Sequence, residues 1–368
     1  MGAESGGRLY LQRVSRCHCF RSAHCGAHFP AARHSNEGSG GKGVKEGVKR
    51  WLGVAVAVLC VGASLYVQNL YILNVLILAV ISAVLAVSVN LLVGYTGQMS
   101  LGQAGFYGIG AYTVAVLTTT YQWGYWPSFV MACLMPAVAG FLLGLPTTRL
   151  RGHFLAIATL GFGVIANVVL NNWTALTNGP SGIRGIPSPE LFGVSLQYPN
   201  FFLAFALACL ALIVGLVDIL VRSSIGRAWK CIRGDEISAL TSGIHVHRYK
   251  LLVFSLSGAI AGLAGALYAG AINFVSPDVF DLNQSIMILI TAIIGGVGTL
   301  FGPLVGAALL SFIGELLRSL GGLRLVIFGA LLVAVIVFMP EGVYPVLFTG
   351  FRRNRLPVSK ARARRPAA

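Results

Sequence analysis

The sequence predicts an all-α protein that crosses a membrane many times, as a polytopic bundle of about ten helices. Three observations support this fold class. Hydrophobic residues make up 56% of the 368 residues and charged residues only 10%, whereas soluble domains carry about 25% charged residues. The apolar residues gather in runs of about 20, the length that a helix needs to cross the hydrocarbon core of a bilayer. Lys and Arg lie at the chain ends and in gaps between these runs, which is typical of membrane loops.

The apolar runs define the candidate membrane spans. Those at 102–121, 284–299 and 302–318 are short or rich in glycine, so their boundaries are the least secure. The full set of spans is 51–67, 70–93, 102–121, 127–147, 153–172, 200–221, 250–272, 284–299, 302–318 and 323–339. Two connections are longer than the rest, namely the Asn-, Gly- and Pro-rich residues 173–199 and the basic residues 222–249.

The distribution of positive charge predicts that both termini are cytoplasmic, because cytoplasmic loops of membrane proteins carry the excess of Lys and Arg. In this orientation the outer segments hold only Arg184, Arg318 and Arg324. The net charge of +16 therefore indicates topology and does not indicate nucleic-acid binding. The turns hold aromatic side chains that we expect in the interfacial belt, namely Trp51, Trp123, Tyr125 and Trp126.

We expect three regions along the chain: a basic extension over 1–50, a membrane domain over 51–345 and a basic cytoplasmic tail over 346–368. The extension is rich in potential metal ligands, which are Cys17, His18, Cys19, His24, Cys25, His28 and His34. Thiolates and imidazoles suit zinc or copper, but this spacing matches no closed zinc pattern. The stretch also lacks apolar periodicity, so we expect a disordered, dispensable extension without a metal site.

The internal loop contains a short segment with the pattern of a capped helix. Acidic residues begin it at Asp235 and Glu236, and Gly243 follows its end, as the helix dipole and the left-handed C-cap favour. One face would present apolar residues for docking, namely Ile237, Leu240 and Ile244. Arg233, Asp235 and Glu236 are expected to remain in water. Such a helix can transmit force from a partner, and the alternative is an ordinary solvated loop.

This loop also carries a resemblance to a known family. The pattern Glu236-x-x-Ala239-x-x-x-Gly243-Ile244 is similar to the ATPase-contact motif of ABC importer permeases. The wider run GRAWKCIRGDE…GI…RYK resembles the M-type subunit of the branched-chain amino acid permeases, and the resemblance covers roughly 70–345. It includes the blocks NLLVGYTGQMSLGQAGFYGIGAY, NGPSGIRGIP, SGAIAGLAGALYAG and GGVGTLFGP. Departures from the usual pattern are Trp229, Cys231, His245 and His247.

The resemblance implies a type II ABC importer permease in the bacterial inner membrane. Two homologous permeases would pair around a central path, two cytoplasmic ATPases would dock below, and a periplasmic binding protein would deliver Leu, Ile or Val. ATP and Mg²⁺ would bind the ATPases, because this sequence has no GxxxxGK[ST] phosphate loop, and the chain would be no enzyme. The residues that the resemblance assigns to ATPase coupling are Arg233, Asp235, Glu236, Ala239, Gly243 and Ile244.

Two further patterns lie within the apolar runs. Uncharged polar residues stand among glycines between 90 and 105, and the candidates for the translocation path are Asn90, Gln98, Ser100 and Gln103. Backbone freed by glycine at membrane depth must line a wet cavity or be buried in protein, so a broken helix beside the path and helix packing are both open. Small residues recur every four positions at Gly258, Gly262, Ala266 and Gly270, which favours a packing seam.

Other functions are weaker alternatives. A urea or short-chain amide permease would share the architecture. A secondary transporter would need a central carboxylate or a clear internal repeat, and neither is evident. An intramembrane enzyme would need a Ser/His or metal pair at depth, which the apolar runs lack.

Overall fold

The computed structural model describes residues 69–148, 150, 152–191, 194–195, 198–317, 327, 329–330 and 342–344. The predicted span at 51–67, most of the span at 323–339, the cysteine- and histidine-containing extension and the basic tail lie outside the described residues. The domain boundaries at 50 and 345 therefore stay predictions.

The described chain consists mainly of helices. The helices are α1 (Leu70–Val89), α2 (Gln103–Thr119), α3 (Tyr125–Thr147), α4 (His153–Asn172), α5 (Thr174–Thr177), α6 (Pro199–Arg222), α7 (Ser224–Gly234), α8 (Glu236–Thr241), α9 (Val246–Ile272), α10 (Leu282–Gly295) and α11 (Gly302–Leu316). A π-helix over Asn90–Tyr95 continues α1. Each predicted span between 70 and 318 corresponds to one of these helices, so the all-α transmembrane class is confirmed.

Five helices of the described chain are long and apolar enough to cross a membrane, and they differ in burial. The most hydrophobic windows of α1 with its π-helical extension and of α9 are 61% and 67% buried, whereas those of α4 and α6 are each 22% buried. The first two therefore form the centre of the bundle. The outer helices expose large apolar side chains such as Phe141, Ile165 and Leu212, which suits contact with lipid.

The small-residue stripe of α9 lies against α3. A side chain at Gly258 or Gly262 would overlap the backbone around Ala132 and Pro136. Pro136 has no N–H to donate to the Ala132 carbonyl one turn earlier, and Gly262 lies directly against this freed oxygen. The hydroxyl of Tyr125 donates to the Ala266 carbonyl at 2.9 Å and contacts Gly270. The stripe thus allows the two backbones to approach closely.

Tyr125 differs from the expectation of an interfacial aromatic residue. Its side chain is buried, because its hydroxyl reaches the Ala266 carbonyl inside the bundle. Trp123 and Trp126 are exposed at the same turn, as an interfacial belt requires.

The long connection at 173–199 contains short strands that the sequence did not reveal. Strand β1 (Ile183–Arg184) pairs antiparallel with β4 (Phe274–Val275) from the turn between α9 and α10. Strands β2 (Glu190–Leu191) and β3 (Val194–Ser195) form a second pair. Asn273 adopts a left-handed conformation with φ of 57°, and its amide donates to the Ile186 carbonyl at 2.7 Å. Two distant connections are thereby joined at one end of the bundle.

Candidate coupling site and broken helix

Helix α7 opens the internal loop and is anchored on the membrane helices by one aromatic residue. The Ser223 hydroxyl caps it by accepting from the Ile225 N–H at 3.2 Å. Trp229 is fully buried, and its indole N–H donates to the Tyr249 carbonyl at 3.1 Å. Trp229 stands where the resembling permeases commonly have an aliphatic residue. Its indole therefore adds a hydrogen bond that fixes α7 to the start of α9.

Helix α8 has the caps that its sequence predicts. One oxygen of the Asp235 carboxylate accepts from the Ile237 N–H at 3.1 Å, and the other accepts from the Ser238 hydroxyl at 2.8 Å. Gly243 has φ of 80°, and the next N–H, of Ile244, returns to the Ala239 carbonyl at 3.1 Å. A side chain at Gly243 would meet nothing within 4 Å. The position therefore requires glycine for its backbone conformation and not for space.

The faces of α8 are only partly those expected. Ile237 and Leu240 are 49% and 53% exposed, so an apolar surface points away from this chain. Ile244 instead packs against the small cluster formed by Ile232, Ala239 and Val246. Ala239 is 2% exposed, so its small size serves packing within the chain. The assignment of Ala239 to ATPase coupling stays a prediction.

Two charged residues that we expected in water are engaged within the chain. The Glu236 carboxylate lies 2.5 Å from the ammonium of Lys250 in α9, and the two side chains are 31% and 2% exposed. The Arg233 guanidinium donates to the carbonyl of Gly94 in the π-helix. Arg233 is nevertheless exposed and Glu236 partly exposed, so both stay in contact with water as expected, but their partners were not foreseen. Helical periodicity identifies the outer face of a short helix and not the distant residues that contact it. The sequence did contain one signal of the contact with Glu236, because Lys250 is a charged residue at the start of an apolar run.

The polar block after α1 leaves regular helix geometry. After the π-helix, the N–H of Gln98 donates to the Leu92 carbonyl at 3.0 Å, and the Thr96 hydroxyl donates to the same oxygen at 2.7 Å. Gly97 has φ of 71°, and α2 begins only at Gln103. π-Helical turns and freed backbone of this kind are frequent at functional sites.

Arg233 and Asn90 join this break to a second turn. The Asn90 amide donates to the Thr299 carbonyl at 2.8 Å, and its oxygen accepts from the Gly298 N–H at 2.8 Å. A side chain at Gly298 would overlap the Arg233 guanidinium. The internal loop, the broken helix and the turn between α10 and α11 therefore meet at one place.

The candidate path residues are all buried, and two of them, Asn90 and Gln103, join separate elements of the bundle. The Gln103 amide donates to the Ser257 hydroxyl at 2.9 Å and accepts from the Ser88 hydroxyl at 3.2 Å. Asn90 bonds to the backbone of Thr299 and Gly298, as described above. The Ser100 hydroxyl accepts weakly from the Gly102 N–H at 3.5 Å. These contacts favour the helix-packing alternative for Asn90 and Gln103, whereas the local bond of Ser100 favours neither alternative.

Gln98 stands apart from the other three candidates. It is 4% exposed, and within the described part of the chain neither its amide nitrogen nor its oxygen has a hydrogen-bond partner. Buried unpaired amides are costly, so Gln98 is the candidate whose polar atoms are not used in packing within the described chain.

Among the residues described, no group of three or more His, Cys, Asp or Glu side chains could hold a metal ion. His247 instead contacts the Thr148 hydroxyl through Nδ1 at 2.5 Å, which ties the start of α9 to the end of α3.

Comparison with known proteins places these features in a family. Residues 71–339 match the family described as branched-chain amino acid transport system / permease component. The high-affinity branched-chain amino acid transport system permease protein LivM of Escherichia coli is 39% identical over 294 residues, which cover 73% of this chain and 69% of that protein. LivM of Salmonella typhimurium is 38% identical over 294 residues, which cover 73% of this chain and 69% of that protein.

A more distant relative is named for a different substrate. The autoinducer 2 import system permease protein LsrC of Yersinia pseudotuberculosis is 28% identical over 263 residues, covering 67% of this chain and 71% of that protein. No solved structure matches the chain. The family match spans most of the chain, including the broken helix and the internal loop. The chain therefore belongs to the permease components of branched-chain amino acid transport systems.

Proposed function

We propose that this chain is the M-type permease subunit of an ABC importer that carries branched-chain amino acids across the bacterial inner membrane. The observation that carries the proposal is the 39% identity with LivM over 294 residues. The identity with the autoinducer 2 permease is lower, at 28%, and this difference favours amino acids. A urea or short-chain amide substrate has no comparable support.

The partners follow from this proposal. A second permease subunit, two cytoplasmic ATPases and a periplasmic binding protein complete the importer, with both termini of this chain in the cytoplasm. ATP and Mg²⁺ bind the ATPases, and this chain binds no cofactor. The exposed Ile237 and Leu240 on α8 are the apolar surface that enters a groove of the ATPase, as amphipathic helices commonly do.

Two contacts supply a route from that surface to the membrane helices. The pair of Glu236 with Lys250 joins α8 to the central helix α9, and Arg233 joins α7 to the broken helix. A displacement of the loop by the ATPase would therefore move both central elements. Transport then results from a shift between two packings that the partners bind unequally.

The test is uptake of labelled leucine by proteoliposomes that contain this chain with its partner permease, the ATPases and the binding protein. We expect ATP-dependent uptake that unlabelled isoleucine and valine inhibit, while urea, acetamide and autoinducer 2 do not. Uptake that only urea or autoinducer 2 inhibits would assign the substrate differently. Leucine accumulation without ATP would contradict an ABC importer.

A further inference from the structure

A cavity of about 580 Å³ lies between α1, α10 and α11. It extends from Tyr71 near the start of α1 to Leu85, and Tyr107 and Tyr268 form part of its wall. Its volume is within the range of about 300–1,000 Å³ that is usual for small-ligand sites. None of the path residues selected from the sequence lines it.

Polar side chains of two apolar helices converge on this cavity. Residues 70–87 contain three side chains with polar atoms, Tyr71, Asn74 and Ser82, and all three line the cavity. Helix α11 contains two, Ser311 and Glu315, and both line it. Tyr71 and Glu315 lie in the terminal turns of their helices. Asn74, Ser82 and Ser311 lie further in, where polar groups are costly and usually face a pathway or a water-filled cavity. Their common direction therefore indicates a ligand site.

The rest of the lining is aliphatic. Val75, Leu78, Ile81 and Leu85 continue the same stripe of α1, at the three- and four-residue spacing that places side chains on one helix face. The cavity thus combines an aliphatic surface with amide, hydroxyl and carboxylate groups.

We propose that this cavity binds the transported amino acid within the membrane, an inference that rests on the proposed function. The aliphatic side chain of the substrate contacts the apolar stripe of α1. Its ammonium group is attracted by the Glu315 carboxylate, and its carboxylate accepts hydrogen bonds from Asn74, Ser311 and Gln284. A zwitterion with an aliphatic side chain presents these three features together.

The first test fills the cavity with a matched control on the same helix. Ser311→Trp should lower leucine uptake by the reconstituted importer at least about tenfold, equivalent to about 1.4 kcal/mol of lost binding. Ala308→Trp, at an exposed position of α11, should transport leucine within about twofold of the parent, because it adds the same group outside the cavity. Parental uptake by Ser311→Trp would overturn the inference.

A second measurement does not depend on transport, so it tests the inference even if the Ser311→Trp protein fails to fold. In a cysteine-free importer, Ser311→Cys should react with a small maleimide, and saturating leucine should slow that reaction severalfold. Ala308→Cys should react at the same rate with and without leucine. A Ser311→Cys rate that leucine does not change, or no reaction at all, would overturn the cavity assignment.

The two proposals fail differently. If the unmodified importer takes up leucine but Ser311→Cys is not protected, only the cavity assignment is wrong. If the unmodified importer takes up no branched-chain amino acid, the proposed function is wrong and the cavity assignment falls with it.

Discussion

The ammonium of Lys250 and the carboxylate of Glu236 lie 2.5 Å apart and join α8 to α9. The exposures of the two side chains are unequal, at 2% for Lys250 and 31% for Glu236. Removing the carboxylate leaves an enclosed ammonium without its counter-charge, whereas removing the ammonium leaves a carboxylate that water still reaches. The two single substitutions should therefore have unequal effects.

We predict that Glu236→Gln lowers stability more than Lys250→Met. Breaking a fully buried pair costs about 3–5 kcal/mol, and the cost here should lie below this range because Glu236 keeps contact with water. The measurement is the unfolding midpoint of each purified variant in detergent. Asp218→Asn is the matched control, because the charge that it leaves without its carboxylate is Arg222, whose side chain is 48% exposed and therefore solvated by water. Equal midpoints for Glu236→Gln and Lys250→Met, or for Glu236→Gln and Asp218→Asn, would contradict the prediction.

Gly262→Leu should destabilise the bundle. Its side chain would overlap the Ala132 carbonyl and the Pro136 ring, and such overpacking typically costs about 1–3 kcal/mol. Gly215→Leu on α6 is the control, because a Cβ there meets nothing within 4 Å. Unfolding midpoints and membrane levels of the two variants should differ clearly. A Gly262→Leu protein as stable as Gly215→Leu would place the seam elsewhere.

Substitutions at Gly243 should rank by their tolerance of left-handed backbone. The φ of 80° costs a residue with a Cβ about 1–2 kcal/mol, and Asn tolerates it best. Leucine uptake should therefore decrease in the order Asn, Ala, Val at position 243, with insertion unchanged. Gly234→Ala serves as the control, because Gly234 has no positive φ and open space around it. Equal uptake by Gly243→Asn and Gly243→Val would show that the chain reversal does not matter for coupling.

Arg233→Ala should reduce leucine uptake while the protein still inserts, because it removes the contact between α7 and the Gly94 carbonyl. Arg233→Lys should keep only part of the parental uptake, since an ammonium lacks the planar donor geometry of guanidinium. Arg227→Ala is the control on the same helix, where the side chain donates only locally to the Arg222 carbonyl. If Arg233→Ala keeps the parental ratio of leucine uptake to ATP hydrolysis, this contact is not part of the coupling route.

The membrane spans could be predicted because hydrocarbon thickness imposes a length that composition alone reveals. The caps of α8 could be predicted for a similar reason, since Asp235 and Gly243 act on backbone within a few residues of themselves. Both kinds of signal are local in the sequence.

The remaining features depend on residues far apart in the chain. The β1–β4 pairing joins two strands of only two residues each, which is too short for a recognisable pattern. Tyr125 and Ala239 are buried because α9 and neighbouring segments cover them, and periodicity cannot name the covering element. The cavity is another such case, because its polar residues are single positions on separate helices that only the packed bundle brings together.

The most direct test of the central claim concerns the apolar surface of α8. ATP hydrolysis stimulated by the binding protein and leucine should be measured in the reconstituted importer with Leu240→Glu or Thr241→Glu. Both positions are exposed on the same helix, but only Leu240 belongs to the apolar surface. If this surface docks into the ATPase, Leu240→Glu abolishes the stimulation and Thr241→Glu retains it. Full stimulation in Leu240→Glu would contradict coupling through α8.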